Sequence, residues 1–410
     1  MAAGLGGLPY EKYERVDRMI LDIFSELQRP GPFAPDHEAR MFADALEQAV
    51  LADRLGFGCW WTVEHHGAVE FSYSSAPEIV VAALAQRTER LRFGHSGVLA
   101  PFRINHPLRV AERAAWIDLV SNGRLEMGLA RSGGTEWEAF GVDAETSRDQ
   151  LREALLMLPR MWTQERFSWQ SAHIVIPERN VVPKPIQKPH PPLWQTCTSP
   201  ESFAMAGELG VGALATTLLS PLASLSALFD HYAKGLARCQ PAGQFVNERR
   251  GVFTFLHCAE TRREAIASRA GEAALWFVNA APRVFSVPRK LWIDAIRGSL
   301  AASDPSATRA VAAKEIVTDL DLDDPVPVVR LLNRQLAGER LDPVEVYETL
   351  EPIESVIIGD VDLCRRKLAR YAEIGTDRLM CLMQFGTLPH ERVMASLRTT
   401  GEALLPDFAS

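Results

Sequence analysis

The densest group of reactive side chains in this 410-residue chain is Glu64-His65-His66, which ends a short apolar and aromatic run, Gly58-Cys-Trp-Trp-Thr-Val63. An imidazole changes charge near neutral pH, and a neighbouring carboxylate fixes which ring nitrogen holds the proton, so the trio suits proton transfer at a reacting centre. A buried, hydrogen-bonded pair that only helps the fold to close is the competing reading. Metal binding is disfavoured: adjacent strand residues point to opposite faces, and the chain has neither an HxH pair nor an HExxH helix. A second cluster, Gly128-Leu-Ala-Arg131-Ser132-Gly133-Gly134, joins a guanidinium, which grips phosphate oxygens in pairs, to flexible backbone. It lacks P-loop or GxGxxG spacing, so an ordinary strand-to-helix turn stays open. A third, Thr196-Cys-Thr198-Ser199-Pro200-Glu201-Ser202, reads as a helix start with Ser199 as N-cap and Pro200 in the first turn. Bare amides at such an end attract phosphate, although capping alone would also explain the residues.

The positions of these clusters follow from the elements around them. Strand and helix patterns alternate: strands at Arg18 to Leu27, Gly58 to Val63, Leu91 to Leu99, Arg124 to Ala130, Pro192 to Thr198, Gly212 to Leu218, Gly251 to Cys258 and Asp377 to Phe385. Between them lie helical patterns at Glu38 to Leu55, stopped by Gly56, and at Pro77 to Arg90, Pro107 to Ser121, Thr146 to Trp162 and Pro200 to Leu209. Eight such units predict an α/β fold, a TIM (β/α)8 barrel over 1–410, with the reactive clusters at the carboxyl ends of strands 2, 4 and 5. Arg131 and Ser199 then end consecutive strands and can reach one phosphate. The chain between strands 7 and 8, 260–376, is a long insertion; it opens with a helix at Arg262 to Val278 and turns Pro-, Ser- and Asp-rich from Ala281 to Pro327, which reads as an irregular lid. Small residues in Phe93-Gly-His-Ser96-Gly97-Val98 either admit a flat ring or mark tight packing. His106, before Pro107, reads as a loop contact.

Composition removes several classes. Forty-four basic and 52 acidic residues give a net charge of −8, with no basic run interleaved with aromatics, so nucleic acid and anionic lipid are not expected partners. Arg249-Arg250 and Arg365-Arg366-Lys367 read as solvated element ends. The six cysteines form no CxxC pair and fit a reducing cytoplasm. Met1 to Pro9 is too short and weakly apolar for a signal segment. The uncharged stretch Leu209 to Phe229 holds too many Gly, Ser, Thr and Pro for a membrane span; a strand, a loop and a helix starting near Pro221 fit it better. There is no G-x-S-x-G elbow, and no strand-end carboxylate pair of the glycosidase type.

Gly56-Phe-Gly-Cys-Trp-Trp-Thr-Val-Glu-His-His66, Asn105-His-Pro-Leu-Arg-Val-Ala-Glu112, Asp118-Leu-Val-Ser-Asn-Gly-Arg-Leu-Glu-Met-Gly-Leu-Ala-Arg131, Phe140-Gly-Val142, and Leu382-Met-Gln-Phe-Gly386 with Pro389-His-Glu391 resemble, in order and spacing, the bacterial luciferase-like family of flavin-dependent monooxygenases. The resemblance implies a barrel that binds reduced FMN (FMNH2) from a separate flavin reductase and uses O2, through a flavin (hydro)peroxide, to oxygenate a small organic substrate. It implies His65 as the catalytic histidine with Glu64 and His66 beside it, Arg131 on the cofactor phosphate with Thr198, Ser199 and Ser202 at the helix end, and Ser96-Gly97 as a non-proline cis peptide against the flavin ring. It also implies a homodimer and no metal. Ala130, Thr198 and Thr217 depart from the light-emitting members, which sets this chain apart from emission and long-chain aldehydes. A flavin- or deazaflavin-dependent dehydrogenase on the same fold, or a non-catalytic flavin binder, are the alternatives; Glu-His-His favours FMN.

Overall fold

The computed structural model describes residues 11–12, 18–303 and 320–408. Eight parallel strands form a closed barrel: β1 (Ile20–Ser25), β2 (Cys59–Thr62), β3 (Arg92–His95), β4 (Leu125–Ala130), β5 (Leu193–Thr196), β6 (Gly212–Thr216), β7 (Arg250–Ala259) and β8 (Arg378–Leu382). Each pairs with its sequence neighbour, β8 returns to β1, and the ring closes with Leu382 opposite Phe24. This is a TIM barrel. The strands are nearly continuous apolar runs because both faces are covered, by barrel interior on one side and helices on the other.

Helix starts and stops lie where local chemistry puts them. Helix α1 (His37–Leu55) ends on Gly56 at φ 96°, a left-handed conformation natural to glycine, whose N–H bonds Ala52 O at 3.0 Å. Helix α2 is Pro77–Ala85, shorter than the pattern suggested, and α3 is Pro107–Val120. Helix α4 (Gly134–Phe140) follows β4, and α5 is Ser147–Thr163. Helix α6 (Pro200–Glu208) follows β5, and α7 (Leu222–Leu236) follows β6. The uncharged stretch is therefore a strand, a turn and a helix. Among the described residues no helix is long and apolar enough to cross a membrane.

The floor of the barrel is not wholly apolar. Asp22 on β1 receives Arg378 Nε and Nη2 at 2.6 and 2.8 Å and Trp61 Nε1 at 2.8 Å, all buried. Glu126 on β4 takes Arg92 Nε at 2.7 Å and Trp194 Nε1 at 2.8 Å. Every charge here has a partner, as burial demands.

The insertion differs from expectation. The helix over Arg262 to Val278 is two, α8 (Arg262–Ala267) and α9 (Ala270–Val284). Part of the irregular lid over 281–327 is instead helical, α10 (Arg289–Ser303); 304–319 lie outside the described residues, as does the Met1 to Pro9 segment. Pro282 does not break α9 because the carbonyl it leaves without an N–H, Val278 O, accepts Trp292 Nε1 of α10 at 3.1 Å. Helices α11 (Pro327–Leu336), α12 (Pro343–Leu350) and α13 (Val361–Glu373) follow, and Ile357–Asp360 pairs with the outer half of β7. The basic trio on α13 is also not wholly solvated: Lys367 is buried, with Nζ bonding Ile353 O and Val356 O at 2.9 and 2.6 Å. Five cysteines are buried, Cys239 is half-buried, and all six are free thiols.

Candidate active site

His65 lies just past β2, at the carboxyl-end mouth of the barrel, and is 8% exposed. Its Nδ1 is 2.9 Å from Glu136 Oε1, which also accepts the His66 N–H at 2.8 Å. Glu136 sits on α4 and is itself buried; Ser132 Oγ closes on its other oxygen. On the opposite side, His65 Nε2 faces Glu26 Oε2 at 3.8 Å. Phe71 and Phe285 set ring edges against the imidazole, with centroids 6.0 and 5.9 Å away. Burial alone would depress the His65 pKa. The Glu136 hydrogen bond and the charges of Glu26, Glu136 and Glu64 outweigh it and raise the pKa. Burial, with a smaller push from Glu136, outweighs the opposing pulls of His65 and the Ser72 hydroxyl and drives Glu26 up to about 7. His65 and Glu26 are thus two proton-binding groups that face each other within the mouth.

Glu64 and His66 do different work. Glu64 Oε2 accepts the Leu99 N–H at 2.8 Å, Asn105 Nδ2 reaches both oxygens at 2.9 and 3.0 Å, and His66 Nε2 is 3.2 Å from Oε1. The carboxylate is burdened with bonds that tie the end of β2 to Val98–Leu99 and to the start of α3. Burial pushes its pKa up, but these donors prevail and it is lowered. His66, half-buried against Phe140, is raised chiefly by Glu64. His106 is the N-cap of α3, its ring nitrogen accepting Leu108 N–H at 3.2 Å.

Arg131 and the start of α6 occupy the ends of the paired strands β4 and β5. Arg131 directs Nε and Nη2 to Ser147 Oγ at 3.1 and 2.8 Å, and its guanidinium lies 5.4 Å over the Trp137 ring. Ser199 and Ser202 form a reciprocal capping box: Ser202 N–H donates to Ser199 Oγ, and Ser199 N–H to Ser202 Oγ at 3.0 Å. Exposed Thr198 also donates its N–H to Ser202 Oγ, at 3.1 Å. The Glu201 carboxylate rests on this helix end, its pKa lowered first by its own backbone N–H, then by the Ser199 hydroxyl and the charges of Arg148 and His231. Arg148 acts on Arg131 as well, adding to the effect of burial, so Arg131, Arg148 and Glu201 lie within electrostatic reach of one another.

The small residues within and just after β3 are explained by packing. A Cβ on Gly94 would lie 2.1 Å from the Trp61 ring, and one on Gly97 2.7 Å from the Leu129 carbonyl carbon. Ser96-Gly97 is a cis peptide, and Ser96 N–H bonds Thr62 O at 2.6 Å. Thr217 is buried with Oγ1 on Tyr371 Oη at 2.7 Å. The sequence reading missed Glu26, Glu136 and Arg148. Glu136 lies 71 positions from His65 on a short helix and carries no local signal; Glu26 is marked only by following a strand. Among the described residues no group of histidines, cysteines and carboxylates could hold a metal ion.

The model of the luciferase-like monooxygenase family matches residues 27–378. The oxygenase component of the flavin-dependent trigonelline monooxygenase of Acinetobacter baylyi is 31% identical over 225 residues, covering 54% of this chain and 61% of that protein. The chain therefore matches about three fifths of that relative's length. A monooxygenase from Streptomyces bottropensis superposes with TM-score 0.70 at 23% identity, over 95% of this chain and all of that one. The oxygenating constituent of 3,6-diketocamphane monooxygenase from Pseudomonas putida, a type II Baeyer-Villiger enzyme solved with FMN, superposes with TM-score 0.65 at 19% identity, over 95% and 99%. At these identities the two structures show the fold.

Proposed function

The chain belongs to the luciferase-like monooxygenase family, and on that footing we propose that it is the oxygenase of a two-component system. It takes reduced FMN from a separate flavin reductase and uses O2 to oxygenate a small organic substrate. What supports this reading is that one barrel mouth carries both the buried His65 and, at the ends of the paired strands β4 and β5, Arg131 and the start of α6. The chemistry there fits the FMN phosphate: Arg131 and Arg148 supply charge, and the α6 end, capped by Ser199 and Ser202, supplies the positive pole of a helix. Bound reduced flavin would supply the electrons that activate O2. Ser96-Gly97, between β3 and β4, would flank its ring.

His65 holds or gives the proton required at the reacting oxygen, with Glu136 fixing Nδ1 and leaving Nε2 to act. Glu64 and His66 keep the β2 end and the start of α3 in place around it. Buried Phe71 and exposed Phe285 of the insertion flank the imidazole, and the insertion is anchored over α4 through Thr135 Oγ1 to Val284 O at 3.0 Å. Exposed Ile79, Trp116, Leu119 and Val120 on α2 and α3 support a homodimer, to be read by light scattering. Free thiols at all six cysteines support a cytoplasmic setting.

The deciding experiment is oxygen consumption with reduced FMN across candidate substrates. Substrate-dependent uptake with one oxygen atom in product supports the oxygenase. Anaerobic turnover with an electron acceptor would instead mark a dehydrogenase, and flavin binding with neither activity a non-catalytic binder.

A further inference from the structure

Glu26 stands one residue beyond β1, at the same mouth, and is 4% exposed. Its Oε2 is buried without a hydrogen-bond partner in the chain. That atom faces His65 Nε2, the ring nitrogen that Glu136 does not hold. A buried polar oxygen left open is costly, and such atoms persist where something else completes them. At 3.8 Å the two are too far apart for a direct hydrogen bond, yet an oxygen atom lying beside the line between them can touch both.

We propose that Glu26 is a second proton-holding residue of this site, acting through His65; the proposal rests on the oxygenase reading above. In the transfer, His65 breaks its Nε2–H bond as an O–H bond forms at the reacting oxygen. Glu26 then breaks its O–H bond and, through a water in the gap, restores the proton to Nε2. Glu26 passes from neutral carboxyl to carboxylate, His65 ends as it began, and Nδ1 stays on Glu136. Burial supports this role by keeping Glu26 in part protonated near neutral pH. The other charged or titratable groups facing the pair are Glu136 from α4 and Glu64, with His66, beyond β2. Ser72 caps the backbone carbonyl of Glu26 at 2.7 Å and leaves Oε2 open.

Two readouts on the full chain test it. Glu26→Gln keeps the shape and removes the ionisation; Glu26→Asp keeps the ionisation. In nitrogen-15 histidine NMR of the flavin-free protein, the His65 midpoint falls by about one unit in Glu26→Gln, as loss of one nearby carboxylate dictates, and is restored in part in Glu26→Asp. In turnover, Glu26→Gln lowers kcat at least about tenfold and leaves KM for reduced FMN unchanged. It also abolishes the wild-type fall in kcat as pH rises through neutrality, which Glu26→Asp retains. A His65 titration identical in wild type and Glu26→Gln, or kcat profiles that superimpose, overturns the proposal. If the titration responds to Glu26→Gln while the wild type consumes no oxygen with any substrate, the coupling stands and the oxygenase reading falls.

Discussion

Glu136→Gln isolates the charge that holds His65. Gln keeps an acceptor oxygen for His65 Nδ1 and the His66 N–H, now 2.9 and 2.8 Å from Oε1, and its amide can donate to Ser132 Oγ. Shape and bond count survive; the charge does not. A charge-assisted bond contributes about 1.5–3 kcal/mol and a neutral one about 0.5–1.5 kcal/mol, so the variant loses on the order of 1–2 kcal/mol while His65 is protonated. Because the folded-state pKa of His65 is raised, this stability is fully present below the unfolded value and is lost as pH rises through the folded one. The loss expected in Glu136→Gln is therefore on the order of 1–2 kcal/mol at pH 5.5–6, below the unfolded value, and smaller at pH 9. It should be matched by a fall of about one unit in the His65 midpoint, since one unit is about 1.4 kcal/mol. Urea unfolding at both pH values, with histidine NMR, reads it. Equal losses at both, or an unmoved midpoint, would refute the claim that Glu136 acts on His65 through charge.

Other changes probe separate parts of the argument. Asp22→Asn leaves Arg378, 2% exposed, without its counter-charge and should cost about 3–5 kcal/mol in urea unfolding. Gly134→Ala is strained at φ 55° and puts a Cβ 2.3 Å from the Phe285 carbonyl carbon. It should displace the insertion from the mouth and increase hydrogen peroxide release per oxygen consumed, measured with a peroxidase-coupled assay. Arg131→Ala should raise the dissociation constant for reduced FMN about 10- to 100-fold in anaerobic titration, the equivalent of one or two charge-assisted contacts.

What was legible in the sequence was what local chemistry encodes. The apolar strand runs, the Gly56 stop of α1, the Ser199-Pro200 start of α6 and the position of His65 past β2 all follow from residues adjacent in the chain. What was hidden depends on the fold. Glu26 and Glu136 meet at His65 only because β1, β2 and α4 converge, and a glutamate after a strand or within a seven-residue helix looks like any solvated one. The helical character around Pro282 was missed for a related reason, since the Trp292 donor that replaces the absent N–H comes from another helix. The small residues from Phe93 to Val98 left open a flat ring or tight packing, and at Gly94 it is the Trp61 ring, from the neighbouring strand, that decides for packing. The carboxylate expected to orient His65 was its neighbour in sequence, Glu64, but Glu64 is taken up by Leu99 and Asn105 and Glu136 holds His65 instead.

The central claim is that reduced FMN binds at Arg131 and the α6 end while His65 governs what oxygen then does. It is tested most directly by anaerobic titration of reduced FMN into wild type, Arg131→Ala and His65→Ala, followed by exposure to oxygen-18 gas with substrate. The account predicts binding that is weakened by the arginine change and spared by the histidine change, with labelled product made by wild type and sharply reduced in His65→Ala. Binding indifferent to Arg131, or undiminished labelled product from His65→Ala, would contradict it.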